Sequence, residues 1–560
     1  MGSRKRGGGA VAMAVAMLLA AAASASQPSS LEGFQPLSKI AVHKATVDLH
    51  GSAFVSATPA LLGDQGEDTE WVTVKYGWAN PSADDWIAVF SPADFISGSC
   101  PNPSRYPDEP LLCTAPIKYQ FANYSANYVY WGKGSIRFQL INQRYDFSFA
   151  LFTGGLENPK LVAVSEAISF KNPKAPVYPR LAQGKSYDEM TVTWTSGYDI
   201  SEAYPFVEWG MVVAGAAAPT RTAAGTLTFN RGSMCGEPAR TVGWRDPGFI
   251  HTAFLRDLWP NKEYYYKIGH ELSDGSIVWG KQYTFRAPPF PGQNSLQRII
   301  VFGDMGKAER DGSNEFANYQ PGSLNTTDRL VEDLDNYDIV FHIGDLPYAN
   351  GYISQWDQFT AQVAPITAKK PYMIASGNHE RDWPNTGGFF DVKDSGGECG
   401  VPAETMYYYP AENRANFWYG SFEEPEGRES LQRLWQRHRV DVAFFGHVHN
   451  YERTCPMYQS QCVSGERRRY SGTMNGTIFV VAGGGGSHLS DYTSAIPKWS
   501  VFRDRDFGFV KLTAFNHSSL LFEYKKSSDG KVYDSFTVER DYRDVLSCVH
   551  DSCLPTTLAS

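Results

Sequence analysis

The chain has 560 residues, of which 42% are hydrophobic and 20% charged, and its formal net charge is −9 at pH 7. This length exceeds what one hydrophobic core usually serves, so we expect two to four domains in an ordinary soluble globular protein. No Lys/Arg-rich tract predicts binding to a nucleic-acid polymer or to a membrane surface. Any anionic substrate must therefore be held by local chemistry.

Residues 1–25 have the parts of a secretory signal peptide. Three basic residues, 4–6, precede an apolar run over residues 10–23, and Ala-Ser-Ala at 23–25 matches the small-x-small pattern cut by signal peptidase. Loss of these three positive charges would change the formal charge from −9 to −12. The apolar run is too short to span a bilayer, so we expect a secreted protein, extracellular, in the cell wall or in the vacuole, without a membrane anchor.

Two β-rich domains are predicted next. Residues 26–172 carry alternating stretches such as EWVTVKYGW and SIRFQLINQRYDFSFALF, typical of a β-sandwich, and show no catalytic constellation. A Pro-rich segment, residues 171–181, marks the boundary to a domain at 173–290. Its MTVTWTSG and LWPNKEYYYKIG motifs, with short strands and regular turns, resemble a fibronectin type III domain.

Residues 295–545 alternate apolar strands with helix-like stretches, which predicts an α/β domain with its chemistry at strand ends; a tail follows at 546–560. The glycine run at 483–486 lacks the GxxxxGK[ST] context of a P-loop, and we interpret it as a flexible turn. No GxSxG elbow follows a strand, which argues against a serine-nucleophile hydrolase.

Four apolar runs in this domain each end in side chains able to bind a metal. In chain order they are RIIVFGDMG with Asp304, DIVFHIGDLPY with Asp345 and Tyr348, PYMIASGNHE with Asn378 and His379, and VDVAFFGHVH with His447 and His449. Each motif is weak evidence alone. Together, carboxylates, a carboxamide and imidazoles converging at the ends of parallel strands are what two neighbouring cations require.

This ordered set resembles the metallophosphatase superfamily, and the tyrosine in GDLPY narrows the resemblance to the purple acid phosphatases, in their large plant form, which is described as nucleotide pyrophosphatase/phosphodiesterase-like. The resemblance covers residues 298–540 and implies a four-layer α/β fold. It also implies a binuclear centre: Asp304, Tyr348 and His449 on Fe(III), Asp345 as the bridge, and Asn378 and His447 on a second divalent metal, zinc, manganese or iron.

The activity implied is that of an acid phosphatase, a phosphoric monoester hydrolase. It would hydrolyse phosphate monoesters, or the pyrophosphate and phosphodiester bonds of nucleotides, by attack of a metal-bound hydroxide on small phosphorylated substrates. His379 is a candidate to contact phosphate or protonate the leaving oxygen, and a hydrogen-bonding role behind the ligands is the alternative.

The chain departs from the family pattern at one ligand. The family has a further histidine between GNHE and GHxH, whereas here only His438 lies there. Its stretch has amphipathic-helix spacing, which predicts an exposed helical residue, and a substitute metal ligand is the alternative. The sequence around Tyr419-Gly420 looks like an internal deletion that removes this ligand. The alternative function is therefore a catalytically impaired, one-metal or unstable isoform, because an under-coordinated ion binds more weakly.

Eight cysteines in a secreted chain favour disulfides, and the absence of a CxxC pair disfavours a zinc site. Spacing suggests the pairs Cys100 with Cys113, Cys455 with Cys462, and Cys548 with Cys553, leaving Cys235 and Cys399. Asn-x-Ser/Thr triplets predict glycosylation at Asn123, Asn325, Asn475 and Asn516.

Overall fold

The computed structural model describes residues 45–95, 115–213, 218–292, 295–313, 320–381, 394–410 and 431–541. The predicted signal peptide, the C-terminal tail, the Tyr419-Gly420 junction and two of the suggested cysteine pairs lie outside these residues. Among the described residues, no helix combines the length and apolarity needed to cross a lipid bilayer.

The first part of the chain forms a β-sandwich. One sheet has, in spatial order, strands Thr46–Val47, Lys160–Val164, Ser148–Thr153, Trp86–Phe90 and Lys118–Phe121; the other has Phe54–Thr58, Thr69–Gly77 and Lys133–Ile141, and Leu61–Leu62 pairs with Ser169–Phe170. In Thr69–Gly77 the buried side chains of Val72, Val74 and Tyr76 alternate with half-buried or exposed ones. This period of two places one face of the strand in the core.

The second part is also a sandwich, of two four-stranded sheets. Their spatial orders are Val177–Gln183, Met190–Ser196, Phe249–Leu255 and Gly225–Leu227 in one sheet, and Thr220–Ala223, Ala203–Met211, Glu263–Leu272 and Ile277–Arg286 in the other. Trp194, from the MTVTWTSG motif, is fully buried between them. Both predicted β-sandwich domains are confirmed.

The third part contains two sheets with helices outside them. The seven-stranded sheet runs Tyr372–Ala375, Ile339–Ile343, Gln297–Phe302, Gly508–Asn516, Ser519–Lys526, Val532–Glu539 and Arg469–Ser471; the second sheet contains Val442–Phe445, Thr477–Ala482, Tyr451–Tyr458, Gln461–Cys462 and Ser500–Asp504. The described α-helices of the whole chain are Tyr128–Trp131, Pro321–Glu332, Ser354–Thr367, Asn378–Arg381, Val401–Met406 and Leu431–Arg437.

These elements stack in four layers. Alternate residues of the strand Gln297–Phe302 face opposite sides: Phe302 packs with Trp356 of the helix Ser354–Thr367, whereas Val301 packs with Val480 of the second sheet. On the far side, Trp435 packs its ring 5.6 Å from that of Phe479. The order helix, sheet, sheet, helix confirms the predicted metallophosphatase-type architecture.

Two disulfides lie in the described residues. Cys455 pairs with Cys462, as their spacing suggested, and the two cysteines left over, Cys235 and Cys399, pair with each other. The second bridge joins the second domain to the third across 164 residues of sequence. Sequence spacing could not reveal this pair because only the fold brings its halves together.

Two buried histidines of the second domain predict acid sensitivity. His270 Nε2 accepts a hydrogen bond from Trp194 Nε1 at 2.9 Å, and the His251 ring lies 4.7 Å from that of His270. Burial lowers the pKa of His270 to about 4; burial, with the nearby His270 and Arg180 charges, lowers that of His251 to about 2. The unfolded chain, with ordinary pKa values near 6.5, binds more protons below that pH.

The contribution of these two histidines to stability is therefore expected to be present in full above pH 6.5. It should decline as the pH falls towards their folded-state pKa values. Between pH 6.5 and pH 5 each histidine should cost about 2 kcal/mol of unfolding free energy. Denaturant unfolding at several pH values measures this loss. His270→Gln keeps an acceptor for Trp194 without a titrating ring, so its loss should be smaller; equal losses in both proteins would contradict the assignment.

Candidate metal centre

The predicted ligands meet at the edges of both sheets of the third domain. The strands that precede Asp304, Asp345 and Asn378 are adjacent and parallel in the seven-stranded sheet, so their carboxyl ends share one edge. The strand Val442–Phe445, which precedes His447 and His449, belongs to the second sheet. The site therefore lies between two sheets rather than along one row of strands.

The backbone is strained where the ligands leave their strands. Asp304, Asp345, Tyr348 and His447 have φ values of 59°, 50°, 54° and 69°, in the left-handed region that non-glycine residues seldom occupy. Such conformations cost about 1–3 kcal/mol each and cluster at functional sites. Here they turn each side chain away from its strand and towards a common centre.

Two glycines allow backbone to approach the carboxylates closely. A Cβ atom on Gly446 would lie 2.6 Å from Asp304 Oδ2, and one on Gly377 would overlap Asp345 Oδ1. Any larger residue would displace a carboxylate. This explains the glycine directly before His447 in GHVH and directly before Asn378 in GNHE.

One group of donors is centred on Tyr348. Its hydroxyl lies 2.8 Å from His449 Nε2, 3.3 Å from Asp304 Oδ1 and 3.4 Å from Asp345 Oδ2. Donor atoms of Asp304, Asp345 and His449 all lie within 4.8 Å of one another. The structure thus brings together the four side chains assigned by resemblance to the ferric ion and its bridge.

A second group lies on the other side of Asp345. His447 Nδ1 is 3.1 Å from Asn378 Oδ1, and Asp345 Oδ1 accepts a hydrogen bond from the His379 N–H at 3.1 Å. One oxygen of Asp345 therefore faces Tyr348 while the other faces the segment that carries Asn378. This is the placement that a bridging carboxylate needs.

The electrostatics of the site favour a bound cation. Burial raises the pKa of both Asp304 and Asp345 to about 7, and the Asp304 carboxylate contributes to the shift of Asp345. Burial likewise lowers the pKa of His447 and, with the adjacent carboxylates, raises that of Tyr348. Within the described residues, neither carboxylate is paired with a lysine or arginine. Hard oxygen and imidazole donors of this kind fit a pair of metal ions.

His379 is oriented by a residue that sequence reasoning missed. Its Nδ1 lies 2.7 Å from Asn350 Oδ1, and its ring is 4.2 Å from that of Tyr348. An amide oxygen only accepts, so Nδ1 carries the hydrogen and Nε2 is the free acceptor of the neutral ring. Burial holds the pKa of His379 well below its usual value.

The glycine run at 483–486 is not a flexible turn, so that interpretation was wrong. Residues 483–487 are buried, and Gly483 packs against Asp304. The Ser487 N–H donates to the Asp304 backbone oxygen, and the oxygen of His488 lies 2.8 Å from His449 Nδ1. Because a carbonyl oxygen only accepts, this contact places the ring hydrogen of His449 on Nδ1. Nε2, which faces Tyr348, is then the nitrogen with a free lone pair. The signal available in sequence was a glycine run placed directly after an apolar strand.

His438 lies on the surface, as its sequence context predicted. It is exposed and lies directly after the helix Leu431–Arg437. The structure thus gives it the surface location expected from its amphipathic stretch.

A four-layer α/β domain with this donor set defines a metallophosphoesterase, and residues 297–451 match the family model described as calcineurin-like phosphoesterase. Three further models match: the Fn3-like domain from purple acid phosphatase at 55–172, the purple acid phosphatase N-terminal domain at 176–287, and the iron/zinc purple acid phosphatase-like protein C at 476–535. The chain belongs to the purple acid phosphatase family, whose members are built around a binuclear metal centre.

Its relatives include proteins named as probably inactive and one named for an enzymatic activity. "Probable inactive purple acid phosphatase 27" of Arabidopsis thaliana is 59% identical over 590 aligned positions, covering 94% of this chain and 96% of the relative. "Nucleotide pyrophosphatase/phosphodiesterase" of Hordeum vulgare is 74% identical, and the alignment covers 51% of this chain and 95% of the relative. The structure of purple acid phosphatase PPD1 from yellow lupin (Lupinus luteus) seeds superposes with a TM-score of 0.83 at 57% identity, covering 92% of this chain and 100% of the other.

Proposed function

We propose that this chain is a secreted, binuclear-metal acid phosphatase acting on phosphate monoesters or on the pyrophosphate and phosphodiester bonds of nucleotides. The observation that carries the proposal is the buried convergence of Asp304, Asp345, Tyr348 and His449. A phenol and two carboxylates suit a ferric ion, whereas an amide oxygen and an imidazole suit zinc, manganese or iron(II). The name of the Hordeum vulgare relative, a nucleotide pyrophosphatase/phosphodiesterase, supports nucleotide substrates.

In this proposal Asp304, Tyr348 and His449 would hold the ferric ion, Asn378 and His447 would hold the second ion, and Asp345 would contribute to both. When bound, the two cations neutralise phosphate charge and lower the pKa of water. Asp345 lies between the two sets of ligand side chains, because one of its oxygens faces each set. His379 presents Nε2, because Asn350 occupies Nδ1. That nitrogen can then contact the phosphate or carry the proton for the leaving oxygen.

Secretion is supported by the features of the leader and by surface acceptors for glycans. Asn123, Asn325 and Asn475 are exposed, whereas Asn516 is half-buried and accepts a hydrogen bond from the Ser518 N–H. We propose the first three as the better glycosylation sites of the predicted four. Small phosphorylated molecules are the proposed partners, with neither a nucleic-acid polymer nor a membrane.

The competing function is an impaired isoform with a weak second metal site. Two observations favour it. The alignment with the Arabidopsis relative has 590 positions, more than the 560 residues of this chain, so some of its positions have no residue here. The same relative is named as probably inactive. With Asp345, Asn378 and His447 as its protein ligands, the second ion would bind less tightly than a fully coordinated one.

Metal content and the visible spectrum of the purified secreted protein distinguish these functions. Two ions per chain, a visible band from tyrosinate on ferric iron, and turnover of a phosphate ester would support the enzyme. One ion with the band and no turnover would support the impaired isoform. A chain that folds but binds no iron would overturn both.

Replacing Tyr348 by phenylalanine is expected to abolish the visible band, because the phenol oxygen is the proposed chromophore. Phenylalanine keeps the ring in its buried site, so the fold should survive. The matched control is Tyr372→Phe, which removes another buried phenol in the same domain, one that lies 2.8 Å from His342 Nδ1. A band that persists in Tyr348→Phe, or disappears equally in the control, would contradict the assignment.

A further inference from the structure

A buried carboxylate holds the amide of Asn378. Asn378 Nδ2 donates to Asp394 Oδ2 at 2.7 Å, and the two residues are 1% and 3% exposed. The other end of the same amide, Oδ1, lies 3.1 Å from His447 Nδ1. The two ends of Asn378 therefore have different partners, one an acceptor and one a member of the second metal group.

This arrangement determines which atom of the amide faces His447. An amide can rotate by half a turn at little steric cost, which would exchange its oxygen for its nitrogen. An ionised carboxylate only accepts, so Asp394 is compatible with Nδ2 and not with Oδ1. Only Oδ1 has the lone pairs that a cation can use. The bond to Asp394 thus selects the orientation in which Asn378 can act as a ligand.

Asp394 itself lies in a well-anchored segment, residues 394–400. Cys399 is tied to Cys235 of the second domain, and the Ala239 N–H donates to the Gly396 oxygen at 3.0 Å. The Glu398 carboxylate accepts from the Gly351 N–H at 2.7 Å and from Trp356 Nε1 at 2.8 Å. These bonds tie the loop to the rest of the molecule, so the position of Asp394 is fixed independently of Asn378.

We propose that Asp394 is a positioning residue that holds the Asn378 amide with its oxygen towards His447, ready for the second metal ion. The inference rests on the proposed function for the identity of that ion, but the orientation of the amide does not depend on it. Outer partners of this kind typically contribute 10–100-fold to metal affinity. The effect matters most for the second ion, whose set of protein ligands is small.

The first test is titration of Zn²⁺ or Mn²⁺ into the iron-loaded full chain. Asp394→Ala should lower the affinity for the added ion by about 10–100-fold while the visible band of the ferric site stays unchanged. Asp394→Asn keeps the shape of the side chain and one hydrogen-bond acceptor, so its loss of affinity for the added ion should be smaller. Exposed Asp274→Ala is the control and should change neither quantity. Unchanged affinity in Asp394→Ala, or equal loss of both ions in all Asp394 variants, would overturn the proposal.

The second test needs no second metal. Crystal structures of the unsubstituted chain and of Asp394→Ala are compared at Asn378. Retention of Oδ1 near His447 in the unsubstituted chain, and a turned or displaced amide in the variant, would support the inference. An amide unchanged in the variant would contradict it. Failure of the unsubstituted chain to bind a second ion would count against the proposed function alone.

Discussion

Replacing Asp345 by asparagine is expected to reduce phosphate-ester turnover by at least about 100-fold. The variant removes the charge of the one carboxylate that faces both donor groups, and even outer partners of metal ligands contribute 10–100-fold. Its metal content should fall with its activity. Elemental analysis and steady-state kinetics on the same preparation measure both, and exposed Asp274→Asn serves as the matched control.

The same substitution should stabilise the metal-free protein. Burial, with the Asp304 carboxylate nearby, raises the pKa of Asp345 to about 7 in the folded chain, against about 3.9 when unfolded. The folded state therefore loses stability as the pH rises from 3.9 to 7, by up to about 4 kcal/mol, and asparagine avoids this cost. The gain should disappear near pH 4. A variant that is both inactive and less stable at pH 7 without metal would contradict this account.

Replacing Lys118 by methionine is expected to lower the unfolding free energy by about 3–5 kcal/mol. Lys118 is fully buried in the first domain, and its Nζ lies 2.7 Å from Asp311 and 2.9 Å from Glu309 of the third. Its removal leaves the buried Asp311 carboxylate without its cation and leaves Glu309 with only Lys307, whose Nζ is 3.5 Å away. Denaturant unfolding measures the loss, and limited proteolysis of residues 305–313 reports whether the segment after Asp304 is released.

Two further variants test whether charge is the cause of the stability loss expected in Lys118→Met. Lys171→Met breaks an exposed pair with Asp64 and should leave stability nearly unchanged, because water screens such pairs. Combining Lys118→Met with Asp311→Asn removes the cation and its nearest carboxylate, leaves Glu309 with Lys307, and should recover most of the loss, since a buried pair contributes little beyond its neutral equivalent. A double variant as unstable as the single one would show that packing of the lysine chain, and not charge, is responsible.

The packing of Tyr348 links the first domain to the site. Tyr348 and Tyr352 share a buried cluster with Trp86 and Phe152 of the first sandwich. The sequence showed no catalytic constellation in that domain, and it supplies none of the proposed ligands. It nonetheless forms the wall behind one of them, which sequence patterns cannot show because the contact joins residues far apart in the chain.

Sequence alone determined the features that depend on local pattern. Alternating stretches predicted the strands of the first β-rich domain, and short apolar runs predicted strands of the α/β domain, with Asp304, Asp345, Asn378 and His447 just beyond their ends. The short spacing of Cys455 and Cys462 indicated their disulfide. Each of these inferences needs only neighbours in the chain, where geometry is fixed by covalent structure.

Tertiary structure decided everything that depends on distant segments. It placed the strand before His447 in a second sheet, packed the glycine run against Asp304, paired Cys235 with Cys399, and brought Asn350 to His379 and Asp394 to Asn378. Apart from the glycine run, which stands directly after an apolar strand, these contacts have no signature in spacing or composition, because a hydrogen bond requires only that two groups meet within about 3 Å and not that they lie at any particular separation in sequence. The sequence thus named the proposed ligands, and the fold supplied the residues that hold them in place.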